Sequence, residues 1–113
     1  MEASATYKYV RVSPQKARLV VDLIRGKSVS EALNILNFTK KGITREVEKV
    51  LRSAVSNAEQ KAEHLDVDEL VVSRIYVNDG SRQKRVRPAP MGRAYRYQRR
   101  TSHITVVVEA PEA

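Results

Sequence analysis

The sequence predicts an α+β fold: three helices packed on a small, mainly antiparallel three-stranded sheet, with a long protruding β-hairpin. Three observations predict it. Residues 5–12 alternate as a short strand does. Apolar residues then recur at three- and four-residue steps in three successive segments. Finally, two β-branched runs, 69–77 and 101–108, flank a basic stretch. The length of 113 residues predicts a single domain, 1–113.

The helices have sequence signals at their ends. Ser13 followed by Pro14 predicts a helix start, because Ser caps free N–H groups and Pro is tolerated at the first helical position. Gly26 predicts the end of this helix. The pattern Ser28–Glu31 is a capping box for a short second helix that ends near Phe38.

The third helix has the longest amphipathic pattern, from Ile43 to Leu65, or about twenty residues. We interpret its apolar stripe as core and not as a site. A strand then follows over 69–77, and the residues 78–80, Asn-Asp-Gly, favour a turn. The basic stretch beyond is expected to form the two arms of a hairpin spanning 78–103, with its tip near 88–92.

Charge is distributed unevenly along the chain. The net charge is +8, from 21 basic and 13 acidic residues. Residues 1–45 carry +6, residues 46–79 carry −4, and Ser81–Arg100 carries +8 without one acidic residue. Positive charge separated in this way is typical of a protein that binds a polyanion. The acidic balance of 46–79 suggests a face turned to solvent or to basic neighbours.

The basic stretch favours RNA as the polyanion. Seven of its eight cations are Arg, whose planar guanidinium pairs with phosphate through two hydrogen bonds and stacks on bases. Tyr95 and Tyr97 lie between arginines and could stack on unpaired bases or pair across the ribbon. A two-stranded ribbon with little to bury is marginal in water, so a partner must hold it. A solvated basic surface is the simpler alternative.

Other chemistry has little support. The chain has no cysteine, no glycine-rich phosphate loop and no metal-ligand spacing, so we predict no cofactor, metal or catalytic residue. His103 is expected to be a structural hydrogen-bonding residue. The sequence shows neither a membrane-spanning apolar run nor a signal peptide, which predicts a cytoplasmic protein without a membrane partner.

Three motifs resemble a known family. The stretch YVRVSPQKARLVVDLIRGKSVSEALNIL, the segment SAVSNAE in the long helix, and GRAYRYQRRTSHITVVV look like ribosomal protein twenty-two of the bacterial large subunit. The likeness covers roughly residues 7–109. At the tip the chain reads PAPMGRA, where family members often read PRA-x-GRA. The resemblance implies a globule on the large-subunit surface and a hairpin that passes through 23S rRNA to line the polypeptide exit tunnel.

The resemblance and the charge pattern together predict the binding residues. Those expected to contact rRNA are Lys8, Arg11, Lys16, Arg18, Arg25, Lys27, Arg82, Lys84, Arg85, Arg87, Arg93, Tyr95, Arg96, Tyr97, Arg99 and Arg100. The tip expected to line the tunnel is Arg87, Pro88, Ala89, Pro90, Met91, Gly92 and Arg93. The implied partners are 23S rRNA, other large-subunit ribosomal proteins and the nascent polypeptide. Neither DNA nor a second copy of the chain is expected.

Two other function classes are weighed against this one. A free-standing basic RNA-binding regulatory protein would share the charge pattern. A regulator that reads DNA would instead carry base-reading side chains on a recognition helix, whereas the positive charge here is on a ribbon. An enzyme with a basic substrate clamp would need a constellation of titratable residues, and the sequence suggests none.

Overall fold

The predicted fold class is confirmed. The computed structural model describes residues 1–39, 41–62, 66–88, 92 and 94–110, and for residues 83, 85–88 and 94–99 it describes the backbone. Within this part of the chain, three helices pack on one antiparallel sheet of three strands. In chain order the elements are β1 Glu2–Val10, α1 Pro14–Ile24, α2 Val29–Phe38, α3 Thr44–Lys61, β2 Val71–Pro88 and β3 Ala94–Glu109.

The sheet has the order β1-β3-β2, so the C-terminal strand lies in the centre. β1 pairs with β3 from Glu2 opposite Glu109 to Val10 opposite Ser102. This pairing explains why β1 begins before the alternating residues 5–12, since ladder hydrogen bonds extend it to Glu2. After Val10 the chain turns, and the buried hydroxyl of Ser102 donates to the Val12 carbonyl at 2.7 Å.

The core lies between the helices and one face of the sheet. β3 contributes alternate buried residues, as the period of two requires. α3 packs on β1 and β3, and α1 packs on β2. The apolar stripe predicted for α3 is buried at Val47, Val50, Leu51, Ala54 and Ala58. Its last predicted member, Leu65, is outside the described residues.

The helix ends match the sequence signals. The Ser13 hydroxyl accepts a hydrogen bond from the N–H of Lys16 at 3.4 Å, and Pro14 is the first residue of α1. Gly26 follows α1 with φ +77°, a conformation that favours glycine. The Ser28 hydroxyl accepts from the Glu31 N–H at 3.3 Å. These local signals therefore fix where α1 and α2 begin.

Each outer edge of the sheet forms hydrogen bonds with the rest of the globule. The segment after α1 pairs with β2, where the Gly26 N–H donates to the Val72 carbonyl at 3.0 Å. On β1, the Asn57 amide donates to the Ser4 carbonyl at 2.8 Å, and the Lys61 ammonium donates to the Glu2 carbonyl at 3.1 Å. These bonds occupy part of each edge with which another chain could otherwise pair.

Two sequence predictions near β2 are wrong in detail. Val67–Glu69 forms a short 3₁₀ helix, so the strand begins at Val71 and not at residue 69. The Asp66 carboxylate caps this turn by accepting from the Asp68 N–H at 3.0 Å. The turn predicted at 78–80 is instead continuous strand with an irregularity between Asp79 and Arg82. Pairing with β3 overrides the local turn preference there.

The molecule is elongated. Its principal extents are 68 × 25 × 16 Å and its radius of gyration is 17.4 Å. A compact chain of this length would have a radius of gyration of roughly 13 Å. The excess comes from the distal parts of β2 and β3, which pair with each other beyond the region where the helices cover the sheet. In the described residues no helix is both long and apolar enough to cross a bilayer.

Candidate nucleic-acid interface

The distal parts of β2 and β3 carry basic residues on both strands, and one pair of cations, Arg82 and Arg100, is directly opposite in the register. The register continues from Arg82 opposite Arg100 to Pro88 opposite Ala94. Between these ends, Arg85 is opposite Tyr97 and Arg87 is opposite Tyr95. Like charges directly opposite on a ladder destabilise it. This arm therefore gains stability from an anion that neutralises it.

The structure describes the predicted hairpin residues to different extents. Arg82 and Lys84 are exposed, and Arg100 is partly buried. Gly92 is exposed with φ +71°. The backbone alone is described for Arg85, Arg87, Pro88, Tyr95, Arg96, Tyr97 and Arg99. The remaining tip residues are outside the described part, namely Ala89, Pro90, Met91 and Arg93.

An acidic residue lies at the base of the basic arm. The Asp79 carboxylate is 3.3 Å from the Arg100 guanidinium and 3.8 Å from that of Arg82. The Arg100 Nε is buried and has no hydrogen-bond partner among the described residues. Sequence reasoning missed this ion-pair cluster, although Asp79 is the last acidic residue before the basic stretch. Asp79 thus offsets part of the repulsion between these two arginines.

Close backbone packing accompanies this cluster. A Cβ atom at Gly80 would overlap the Thr101 hydroxyl oxygen and approach the Thr101 carbonyl carbon to 3.2 Å. The Thr101 hydroxyl donates to the Ser81 carbonyl at 2.7 Å, so it is not free to move away. Gly80 is therefore required for the two strands to approach each other where the arm leaves the globule.

The predicted cations on the globule fall into two groups. Arg18 donates to the Val77 carbonyl at 2.9 Å and Arg25 donates to the Ile75 carbonyl at 2.8 Å, which ties α1 to β2. Arg25 also pairs with Asp22. The other four are exposed and form no ion pair within the described ranges: Lys8, Arg11, Lys16 and Lys27. Free cations such as these can pair with phosphate.

The end of β1 has an unusual backbone that the sequence pattern did not reveal. Tyr9 has φ +59°, which is uncommon for a residue with a side chain, and the ladder is irregular between Tyr7 and Val10. The Tyr9 N–H donates to His103 Nδ1 at 3.0 Å, and the two rings contact edge to face with centroids 4.8 Å apart. The expected structural role of His103 is confirmed by this hydrogen bond.

Comparison with known proteins identifies the family. The family model described as ribosomal protein L22p/L17e matches residues 5–109. The chain belongs to this family. A large ribosomal subunit protein uL22 from Solibacter usitatus is 59% identical over 113 residues, which is 100% of both chains.

Two further relatives carry the same name. The uL22 protein of Desulfitobacterium hafniense is 59% identical over 107 residues, 95% of this chain and 93% of its own. That of Oceanobacillus iheyensis is 57% identical over 108 residues, 96% of this chain and 95% of its own. The L22p/L17e match includes the globule and both arms of the hairpin, so the family assignment applies to every surface described above.

Proposed function

We propose that this member of the L22p/L17e family is a structural constituent of the large ribosomal subunit in the cytoplasm. It binds 23S rRNA and supports assembly of the subunit. The support is the name that the full-length relatives share, large ribosomal subunit protein uL22, together with the cationic surfaces of this chain. The family is a structural class, in keeping with a role in binding and not in catalysis.

One observation carries the rRNA-binding role most directly. The arm from residue 82 to residue 100 is a paired ribbon whose register sets Arg82 opposite Arg100, and its nearest carboxylate is a single Asp79 at its base. A ribbon this rich in positive charge needs polyanionic surroundings. Folded rRNA supplies phosphates on several sides of such a ribbon.

The hairpin of residues 78–103 extends through the rRNA, and its tip, residues 87–93, lines the exit tunnel beside the nascent polypeptide. Phosphates are neutralised by the arginines and Lys84 along both arms, while Tyr95 and Tyr97 pack against bases or sugars. A second rRNA contact on the globule is formed by Lys8, Arg11, Lys16 and Lys27, to which Arg18 and Arg25 also contribute. The acidic segment 46–79 faces solvent or basic ribosomal proteins.

A free-standing RNA-binding regulator is not favoured as the alternative. It would explain the charge distribution equally well, but a relative that matches this chain over its whole length is named a large ribosomal subunit protein. The protein acts as a single copy in each subunit, without a membrane or DNA partner.

Site-directed cleavage of rRNA tests the proposal. The sequence has no cysteine, so one introduced cysteine can carry an iron chelate that produces hydroxyl radicals at a single place. Lys84→Cys is exposed on the arm, and Glu59→Cys is exposed on α3 as the control. In large subunits containing these variants, we expect 23S rRNA cleavage from Lys84→Cys and little from Glu59→Cys. Equal cleavage from both, or none from Lys84→Cys, would contradict the proposal.

The tunnel position needs its own test. A photoreactive group on Met91→Cys should crosslink to a radiolabelled nascent chain held on the ribosome, whereas the same group on Lys84→Cys, lower on the arm, should crosslink mainly to rRNA. Absence of nascent-chain crosslinks from Met91→Cys would leave the hairpin in rRNA but exclude its tip from the tunnel wall.

A further inference from the structure

A groove of about 880 Å³ opens where the end of β1 meets the first turns of α1 and α3. Its volume is within the range of roughly 300–1,000 Å³ that is usual for small-ligand sites. We call it the β1–α1 groove, and the residues on which the argument depends are Tyr9, Arg11, Lys16, Leu19, Lys41 and Glu46. Arg11 and Lys16 belong to the exposed cationic surface of the globule, and here they surround a concavity together with Lys41.

The aromatic side of the groove is held in place by an unusual backbone. Tyr9 has φ +59°, and its N–H bond to His103 Nδ1 at 3.0 Å fixes that conformation. Strained positions of this kind occur preferentially at binding sites. Tyr9 is nevertheless 62% exposed, so the ring is available to a ligand in the groove. Tyr9 therefore has an unfavourable backbone conformation, which most strand residues do not adopt, and its ring is exposed at the groove.

The charges of the groove favour an anion beside that ring. Arg11, Lys16 and Lys41 are exposed, and none of the three forms an ion pair within the described part of the chain. Among the described residues that line the groove, Glu46 is the one with a carboxylate. Leu19 adds an apolar wall that is 55% exposed. A flat apolar ligand that carries a negative group fits all of these features together.

We propose that the β1–α1 groove binds one unpaired nucleotide of an RNA, with its base stacked on Tyr9 and its phosphates held by Arg11, Lys16 and Lys41. Stacking on an aromatic side chain requires a base that has left its helix, because paired bases have no free face. This inference rests on the proposed function, since it assigns a local structure to the RNA that the globule contacts. The proposed function includes only a general contact between the globule and rRNA phosphates. The inference specifies where on the globule an unpaired nucleotide binds.

The test uses two synthetic RNA hairpins that differ by a single bulged nucleotide. The bulge is 2-aminopurine, whose fluorescence falls when it stacks on an aromatic ring. We expect the full chain to quench the fluorescence and to bind the bulged RNA about tenfold more tightly than the fully paired one, the size of one base–aromatic stack. Tyr9→Phe keeps the ring and should retain both effects.

Tyr9→Gly removes the ring at a position whose φ favours glycine, so the fold should persist. The matched control is Tyr76→Ala, which removes an exposed tyrosine from β2 outside the groove. Tyr9→Gly should abolish the preference for the bulged RNA and the quenching, and Tyr76→Ala should retain both. Binding of the paired RNA should be the same in both variants, because phosphate contacts remain.

A second variant blocks the groove without changing Tyr9. Apart from its chain neighbours, no atom of the described residues lies within 4 Å of a Cβ placed on Gly42, a groove residue, so Gly42→Glu should fold and bring a negative charge into the site. It should also lose the preference for the bulge. Equal affinity of the unaltered chain for the two RNAs, or a preference that survives in both groove variants, would overturn the inference and leave the proposed function intact. Failure to bind either RNA would overturn both.

Discussion

At the scale of single residues, neighbouring cations on α1 perform different tasks. Arg18 donates to a β2 carbonyl at 2.9 Å, whereas Lys16, one half-turn away, is exposed and forms no ion pair among the described residues. The charge pattern and the family resemblance together predict rRNA contacts for both. The distinction depends on where β2 lies against α1, which no local sequence signal reports. The rRNA contacts of Arg18 and Arg25 therefore remain predictions beside the structural role of their hydrogen bonds to β2 carbonyls.

The pair Arg18 and Lys16 gives the first prediction. Arg18→Ala should lower the free energy of unfolding by about 1–2 kcal/mol, because the Val77 carbonyl loses a charged donor. Lys16→Ala should change it by less than about 0.5 kcal/mol, as is usual for an exposed residue. Urea unfolding of the full chain measures both. Equal changes in the two variants would show that the Arg18 hydrogen bond contributes nothing to stability.

Local signals predicted some residues well and missed others. Ser13, Gly26 and Ser28 act where their chemistry suggested, because caps and stops depend on adjacent residues. Tyr9 was read as an ordinary strand residue, yet its φ is +59°. Its conformation depends on His103, which is 94 positions away, and on an irregular β1–β3 ladder. The periodicity of a local segment does not predict contacts between residues so far apart in the sequence.

At the scale of elements, the base of the hairpin limits how the arm joins the globule. Gly80→Ala should lower the free energy of unfolding by about 1–3 kcal/mol, since the new methyl group must displace Thr101 from its bond to Ser81. Gly42→Ala is the control, because its Cβ would meet open space. It should be neutral or slightly stabilising. Thermal unfolding compares them, and similar melting temperatures would contradict the packing argument.

The arm itself should be dispensable for folding. Arg82 and Arg100 are opposite in register, so an Asn-Gly turn placed directly between them should close a short hairpin. Because the described core residues all lie outside 83–99, the shortened chain should keep its circular dichroism spectrum and much of its melting temperature. Its affinity for rRNA should fall. A shortened chain that does not fold would show that the arm stabilises the globule.

The sequence predicts the helices, strands and helix starts better than the first residues of the strands. The stripe of α3 was read correctly, since a long amphipathic period is a strong signal. The turn expected at 78–80 is wrong because Asn78 and Asp79 pair with β3, and a local dipeptide preference does not show cross-strand partners. Tip residues 89–91 and 93 are outside the described part of the chain, so the tunnel contacts expected of them stay predictions.

At the scale of the whole molecule, charge should dominate RNA affinity. If the arm neutralises about eight phosphates, the logarithm of the association constant should fall with the logarithm of salt concentration at a slope of roughly −5 to −7. The hairpin-shortened chain should give a much smaller slope. Filter binding to 23S rRNA at several salt concentrations measures both. A slope near −1 for the full chain would exclude the arm as the main contact.

The central claim is that the arm is embedded in the RNA of the large subunit. Sedimentation of cell lysate through sucrose in about 0.5 M salt tests it most directly. At that ionic strength, a protein held on RNA only by loose electrostatic contacts dissociates. The full chain should remain with the large subunit, while the hairpin-shortened chain should partly release. If the full chain instead stays at the top of the gradient, the embedded hairpin is contradicted and a free RNA-binding protein becomes the better account.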